Sequence, residues 1–202
     1  MPSTLSIRHA SLADLPGVYR VCLQTGDAGA DATGSWRDPD LLGHVWAGAY
    51  VVGAPDLAFV VTHPDSGVCG YFFGCADTRA FEAWQEAAWW PPLRAAYPLR
   101  ADQSLEAELV HVIHHPPLAP DDIVAEYPAH LHIDLLPVAR GLGIGRVLVD
   151  RLLAELRVRG VPGVHLEVAA SNANAIAFYQ HLGFEVLRPN SDHDLLMGLR
   201  LA

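Results

Sequence analysis

Lysine is absent from this chain, and all 13 of its basic residues are arginine. A phosphate-binding loop of the GxxxxGK[ST] kind, which grips its ligand with a lysine, is thereby excluded. The protein also has no side-chain amine of its own to be modified. Cysteine is scarce: Cys22, Cys69 and Cys75 are an odd number with no CxxC spacing. That pattern excludes a disulfide framework or a zinc knuckle and leads us to expect a reducing compartment, the cytoplasm. No run of about 18 apolar residues is present to cross a membrane. The opening MPSTLSIRHA lacks the basic-then-apolar pattern of a secretory signal. Positive charge is in short supply, and a net charge of -10 argues against nucleic acid, whose phosphates need a basic face, while suiting cationic ligands.

What remains is globular composition, 51% hydrophobic and 18% charged over 202 residues, which fits one domain spanning 1–202. LSIRHA reads as a strand, and Ser11 with Asp14 gives a capping-box-like start to a helix through LADLPGVYRVCLQ, stopped near Gly26. A second helix, DLLGHVWAGA, opens at Asp38-Pro39. LAFVVTH, the turn PDSG and VCGYFFGCAD form an antiparallel hairpin. Residues 78–128 read as short helices broken by prolines, an irregular helical insertion too long for a mere connection. AHLHIDLLP is then a strand, followed by a helix from Ile144 to Arg159 whose apolar stripe is Ile144, Val147, Leu148, Leu152 and Leu156. GVHLEVAA, the helix SNANAIAFYQHL, FEVL and DLLMGLRL close the chain. The pattern predicts an α/β (α+β) fold, a mixed central sheet of about six to seven strands flanked by helices.

The informative stretch is LLPVARGLGIGRVLVDRLL, residues 135–153, a strand end that passes through three glycines into an amphipathic helix. A helix start presents unpaired N–H groups and a positive dipole end, and glycines let an anion such as phosphate approach the main chain. The dinucleotide fingerprint GxGxxG fits poorly, since from Gly141 its last glycine falls on Arg146. The spacing that does fit is Arg140-x-x-Gly143-x-Gly145. It resembles the R/Q-x-x-G-x-G/A turn of the GNAT superfamily of acyl-CoA-dependent N-acetyltransferases. Downstream, SNANAIAFYQHLGF is similar to that superfamily's second signature, with Asn172, Ala175, Tyr179 and Gly183-Phe184 in place. A narrower likeness runs through YRVCLQTGDAGADAT, PDLLG, GVCGYFFGCADTRAF, LHIDLL and AIAFYQHLGF. These together resemble the acetyltransferase-like C-terminal domain of the animal O-GlcNAc hydrolase, here free-standing and bacterial-looking.

The resemblance implies the GNAT acyl-CoA N-acyltransferase fold and acetyl-CoA as acyl donor. Its pyrophosphate would sit on the amides from about Leu142 to Arg146, a turn made by Arg140, Gly141, Leu142, Gly143, Ile144, Gly145 and Arg146. The pantetheine arm would lie along Leu135, Leu136 and Val138 at the strand end, with Asn172 and Ala175 across from it. Transfer to a primary amine, by direct attack in a ternary complex, needs a group to take a proton, because amines are mostly protonated at neutral pH. Strand alternation puts His130, His132 and Asp134 on one face. Asp134 ranks first by position and His132 second by its reference pKa, with His130 open. Tyr179 matches the position of the superfamily's acid for the leaving thiolate, and a main-chain N–H of the strand carrying Leu136 is expected to hold the oxyanion. The animal domain lacks the glycine turn, so a catalytically weak cofactor-binding or scaffold module stays open beside the enzyme. The acceptor is expected to be a small-molecule or peptide amine, with no nucleic acid, membrane or metal involved; monomer and homodimer stay open. Trp84, Trp89 and Trp90 read as core or as a pocket wall. His114-His115 lacks a third ligand, and Asp27 and Asp31 suit a turn as well as a cation.

Overall fold

The structure, a computed structural model, describes residues 5–201. Seven strands form a single mixed sheet in the order β1-β2-β3-β4-β5-β7-β6. They are β1 (Ser6–His9), β2 (Ala58–His63), β3 (Gly67–Cys75), β4 (Ala129–Leu135), β5 (Gly163–Ala169), β6 (Glu185–Pro189) and β7 (Asp194–Arg200). All neighbours are antiparallel except β4 and β5, which run parallel. The expected hairpin is β2–β3, and the expected mixed sheet with its flanking helices is present. No helix among the described residues is long and apolar enough to cross a membrane.

Each face of the sheet has its own apolar layer, because strand side chains alternate. Tyr71 and Phe73 of β3 point toward α1 (Leu15–Leu23), α2 (Leu41–Trp46) and α3 (Gly48–Gly53), while Phe72 points toward α8 (Ile144–Val158). In β4, Leu131 joins the α8 layer, with Ile133 and Leu135 packed against it. That leaves His130, His132 and Asp134 facing the other helices, as the alternation predicts. The α8 stripe differs at one place. Leu148, Val149, Leu152, Leu153 and Leu156 are buried, whereas Val147 is 56% exposed. The buried stripe is rotated toward Val149 and Leu153 because β4 and α9 (Ala173–His181) both pack on it.

Two expectations for the first half are corrected. The single helix over DLLGHVWAGA is two, α2 and α3, parted at Ala47 with φ −129°. Gly43 and Gly48, both poor helix formers, let the chain draw tight on the Tyr19 ring, where an added Cβ would lie 2.4 Å from side-chain atoms. The proline pair at 91–92 does not break a helix. A π-helical turn over Gln85–Trp89 joins α4 (Thr78–Trp84) to α5 (Trp90–Ala96), and both prolines sit in the first turn of α5, where a missing N–H costs nothing. Then α6 (Leu105–His114) and α7 (Asp121–Glu126) follow, with Pro116-Pro117 in the loop between them.

Candidate active site

The site begins where two strands part. β4 and β5 are in register only at Ala129↔Val164 and His130↔His165, so His132 and Asp134 lie beyond the last rung. The Leu136 N–H donates to the Cys69 carbonyl of β3 at 2.9 Å. Antiparallel ladders alternate, so this bond sends the main-chain groups of Asp134 and His132 to β3 and those of Leu135 and Ile133 into the gap. The Leu136 amide is therefore engaged with β3, and of the main-chain N–H groups of this strand end it is that of Leu135 that faces the gap. The Leu135 carbonyl accepts from Arg140 Nε at 2.6 Å.

Beside the gap sits a polar cluster. The Tyr71 hydroxyl donates to Asp134 Oδ2, and His132 Nε2 lies 3.0 Å from the same oxygen and 3.3 Å from the Tyr71 hydroxyl. An ionised carboxylate only accepts, so His132 presents its Nε2–H to Asp134 and keeps its Nδ1 lone pair. Burial, reinforced by the Asp134 charge, pushes the Tyr71 phenol well above its ordinary range, so it stays a donor. Tyr71 was not anticipated from the sequence. Its signal was a lone hydroxyl in an apolar strand, and the register of β3 on β4 sets Tyr71 opposite Asp134.

His130 belongs to a different neighbourhood. Its Nδ1 is 2.8 Å from Thr78 Oγ1, which itself donates to the Pro128 carbonyl at 2.7 Å. The single hydroxyl proton is thus committed, and His130 Nδ1 must carry the hydrogen. Burial, then the nearby rings of His165 and His132, lowers the His130 pKa to about 3. That shift counts against His130 as the proton acceptor. Tyr50 stacks on Phe73 and Phe81 and walls this side, its ring 6.3 Å from that of His132.

The glycine turn sits at the open end of the gap. Gly141 and Gly143 have φ of +72° and +76°, the left-handed region, and a Cβ on either would meet open space. Gly143 caps α8 with no side-chain bond, and the N–H groups of Leu142 to Arg146 enter no turn or cap hydrogen bond. Unpaired N–H groups at a helix start are what an anion cradle requires. Gly145 has another reason to be small, since its Cβ would lie 3.1 Å from the Phe178 ring. Leu135 and Ile144 pack their side chains on the α8 layer, Leu136 packs against the layers of both faces, and Val138 and Leu142 are exposed beside the turn. Arg146 is exposed and 3.5 Å from Asp150. Arg140 does not point at the cradle at all: its Nη2 donates to the Gly29 carbonyl at 2.8 Å.

On the far side, Asn172 Oδ1 accepts from the Ala175 N–H at 3.1 Å and caps α9. Only its Nδ2 is left for a ligand. Ala175 and Tyr179 line the gap, and Tyr179 is 7% exposed. Burial, with a smaller push from Asp134, raises the Tyr179 phenol far above its ordinary pKa. Full proton transfer to a thiolate near 8.5 is then steeply uphill, which leaves a donated hydrogen bond as the help Tyr179 can give a leaving thiolate. Such a bond to a charged group contributes about 1.5–3 kcal/mol, so Tyr179→Phe should lower kcat roughly ten- to a hundredfold with acetyl-CoA affinity within a few fold. An unaltered kcat in steady-state assays would reduce Tyr179 to packing.

The gap opens into a cavity of about 520 Å³ that also reaches α2, α4 and the α6–α7 loop. Its lining holds no arginine, while Glu82, Asp134, Glu167 and Asp194 all contribute to it. Glu82 is committed to Arg79 at 2.6 Å and to the Ala119 N–H at 2.8 Å. Glu167, on the same face of β5 as His165, is solvent-exposed where it joins the lining, and partial desolvation there, helped by Asp194, raises its carboxyl pKa. It is the second residue that sequence reasoning missed. Trp90 is buried at the wall, Trp89 donates to the His44 carbonyl, and Trp84 stacks on Trp89. His114 Nε2 is 2.8 Å from the Tyr97 carbonyl, and among the described residues no group of three His, Cys, Asp or Glu is placed to hold a metal. Asp31 accepts from Thr33, and Asp27 closes a bridge with Ala30; both serve their loop.

Comparisons with known proteins converge on this geometry. The model of the acetyltransferase (GNAT) family matches residues 112–184, from α6 to the end of the α9 signature. The crystal structure of SsHAT superposes with a TM-score of 0.90 at 36% identity, covering 98% of this chain and 99% of that one. The ribosomal-protein-S18-alanine N-acetyltransferase of Escherichia coli shares the fold, with a TM-score of 0.52 at 22% identity over 98% of this chain and 95% of that one. Among curated proteins, the mycothiol acetyltransferase of Beutenbergia cavernae is 54% identical over 48 residues, 24% of this chain and 16% of its own length. The ribosomal protein bS18-alanine N-acetyltransferase of Salmonella typhimurium is 44% identical over 62 residues, 31% of this chain and 42% of its own. The matched stretches thus span less than half of these curated relatives.

Proposed function

We propose, from the premise that this chain belongs to the acetyltransferase (GNAT) family of acyltransferases, that it moves acetyl from acetyl-CoA to a primary amine by direct attack in a ternary complex. The observation that carries this reading is the parting of β4 from β5 immediately after His130, with Asp134 beside the gap and the free amides of 142–146 at its end. These residues fit acetyl-CoA. The amides at the left-handed glycines suit its diphosphate, and the main chain of Ile133 and Leu135 suits the amides of its pantetheine arm.

On this reading Asp134 takes the proton of the incoming ammonium, with His132 as the second candidate, since its Nδ1 is free and its Nε2–H is held by Asp134. The amine nitrogen forms a bond to the acyl carbon as the carbon–sulfur bond breaks. The Leu135 N–H donates to the carbonyl oxygen as it gains charge, and Tyr179 donates to the departing sulfur. Tyr71 holds Asp134 in place. A small-molecule or peptide amine is supported by a lining that carries carboxylates and no guanidinium, which attracts a cation and repels an anion. The narrower likeness to the acetyltransferase-like domain of the O-GlcNAc hydrolase belongs to the same proposal. Its stretches fall on α1 and the following loop, α2, β3 with the start of α4, β4 and α9, and all of these except β3 contribute to the lining of this cavity. Three buried, unbridged cysteines suit the cytoplasm.

The test is release of free coenzyme A and mass of the product across a panel of monoamines, diamines, amino acids and short peptides. Cationic amines lacking a carboxylate should be acetylated, ahead of amines that carry one. Tight acetyl-CoA binding with no acetylated product from any amine would refute the enzymatic reading in favour of a cofactor-binding module.

A further inference from the structure

Arg140 opens the glycine turn, yet its guanidinium reaches away from it. Nε donates to the Leu135 carbonyl at 2.6 Å, and Nη2 to the Gly29 carbonyl at 2.8 Å, 111 residues earlier in the chain. Gly29 is the tip of the loop between α1 and α2. That loop is wound tightly. Gly29 N–H donates to Thr25 at 2.9 Å, Ala30 N–H to Asp27 at 2.7 Å, and Asp27 N–H back to Ala30 at 3.1 Å. Ala28, at φ +46°, is the one non-glycine with positive φ among the described residues, and Gly29 follows at +91°. Holding an alanine there costs free energy, so something must hold the tip down. The single side-chain donor to the tip carbonyl among the described residues is Arg140.

The loop's position gives the tie its meaning. Thr25, Gly26, Ala28 and Gly29 line the cavity together with Asp134 and Asn172, and a Cβ on Gly29 would lie 3.4 Å from Asn172 Nδ2. The tip therefore sits where the acceptor side of the cavity meets the β4 end and the α9 start. Resting on the reading above, we infer that Arg140 is a positioning residue for the acceptor rather than a ligand of the cofactor's phosphates. It pins the α1–α2 loop to the end of β4 and so fixes the wall against which the amine is seated. The fork geometry does this, since one guanidinium serves two carbonyls at fixed angles, which an ammonium on a flexible stem cannot match.

Arg140 is exposed, so its replacement leaves the fold intact. In Arg140→Ala, acetyl-CoA affinity by calorimetry should stay within about threefold of the parent, while amide exchange at Asp27, Gly29 and Ala30 speeds about tenfold or more. The acceptor KM should rise by roughly tenfold with kcat within about threefold. Arg140→Lys, which keeps the charge and loses the fork, should behave as the alanine variant does. A drop of about tenfold or more in acetyl-CoA affinity that lysine restores would make Arg140 a phosphate ligand and overturn the inference. So would unchanged exchange in the loop. Calorimetry and exchange need no acceptor, so these results are independent of whether amine acetylation itself is found.

Discussion

Gly143→Asp should all but abolish acetyl-CoA binding without unfolding the protein. Position 143 has φ +76° and open space where a Cβ would go, and aspartate is among the residues least averse to the left-handed region. The substitution therefore adds a carboxylate to the cradle without forcing the main chain. That charge would face the diphosphate held by the amides of 142–146. At about 4 Å and an effective dielectric near 20, two like charges repel by about 4 kcal/mol, which corresponds to roughly a thousandfold in affinity. Calorimetry with acetyl-CoA, beside a thermal melt of the free protein, reads both halves of the expectation. Affinity within a few fold of the parent in a folded variant would mean that the diphosphate lies elsewhere.

The second large effect is Asp134→Asn. The replacement keeps the shape and can still accept from the Tyr71 hydroxyl, so β3 and β4 stay joined. What disappears is the carboxylate proposed to take the ammonium proton, which also lies 3.0 Å from His132 Nε2. General base catalysis contributes typically about 10²–10⁴-fold, and kcat/KM should fall by that factor while acetyl-CoA affinity hardly moves. The sign of the pH effect is fixed. A base works deprotonated, so the parent's rate climbs with pH as the base ionises, and the variant should lose that acidic limb. His132→Gln is the comparison. If it removes the limb and Asp134→Asn only lowers the plateau, the imidazole is the base and Asp134 orients it.

Much of this site could be read from residue order because its determinants are local. The turn from Arg140 to Arg146 needs only glycines and a helix start, and the polar face of β4 needs only period-two alternation. The sheet follows from strand and turn signals of the same kind. What escaped was set by partners distant in sequence. Tyr71 joins Asp134 only through the register of β3 on β4, Glu167 faces the cavity only because β5 leaves β4, and Arg140 is drawn off the turn by a carbonyl at position 29. For a related reason the sequence leaves open which amide of the β4 end faces the gap. Which strand edge an amide faces depends on ladder phase, and Cys69 settles that phase. The split of α2 from α3 traces to Tyr19, whose packing two glycines accommodate. Intrinsic pattern gave the elements, and tertiary contact gave the roles.

The main chain at Leu142–Arg146 is expected to grip a diphosphate and so aim a thioester between β4 and β5. A crystal structure of the complex with acetyl-CoA tests it directly. It should place diphosphate oxygens within hydrogen-bond distance of those amides and the acetyl carbonyl against the Leu135 N–H, with Asp134 on the acceptor side. A cofactor seated outside the gap, or a diphosphate bound by arginine side chains with those amides untouched, would contradict it.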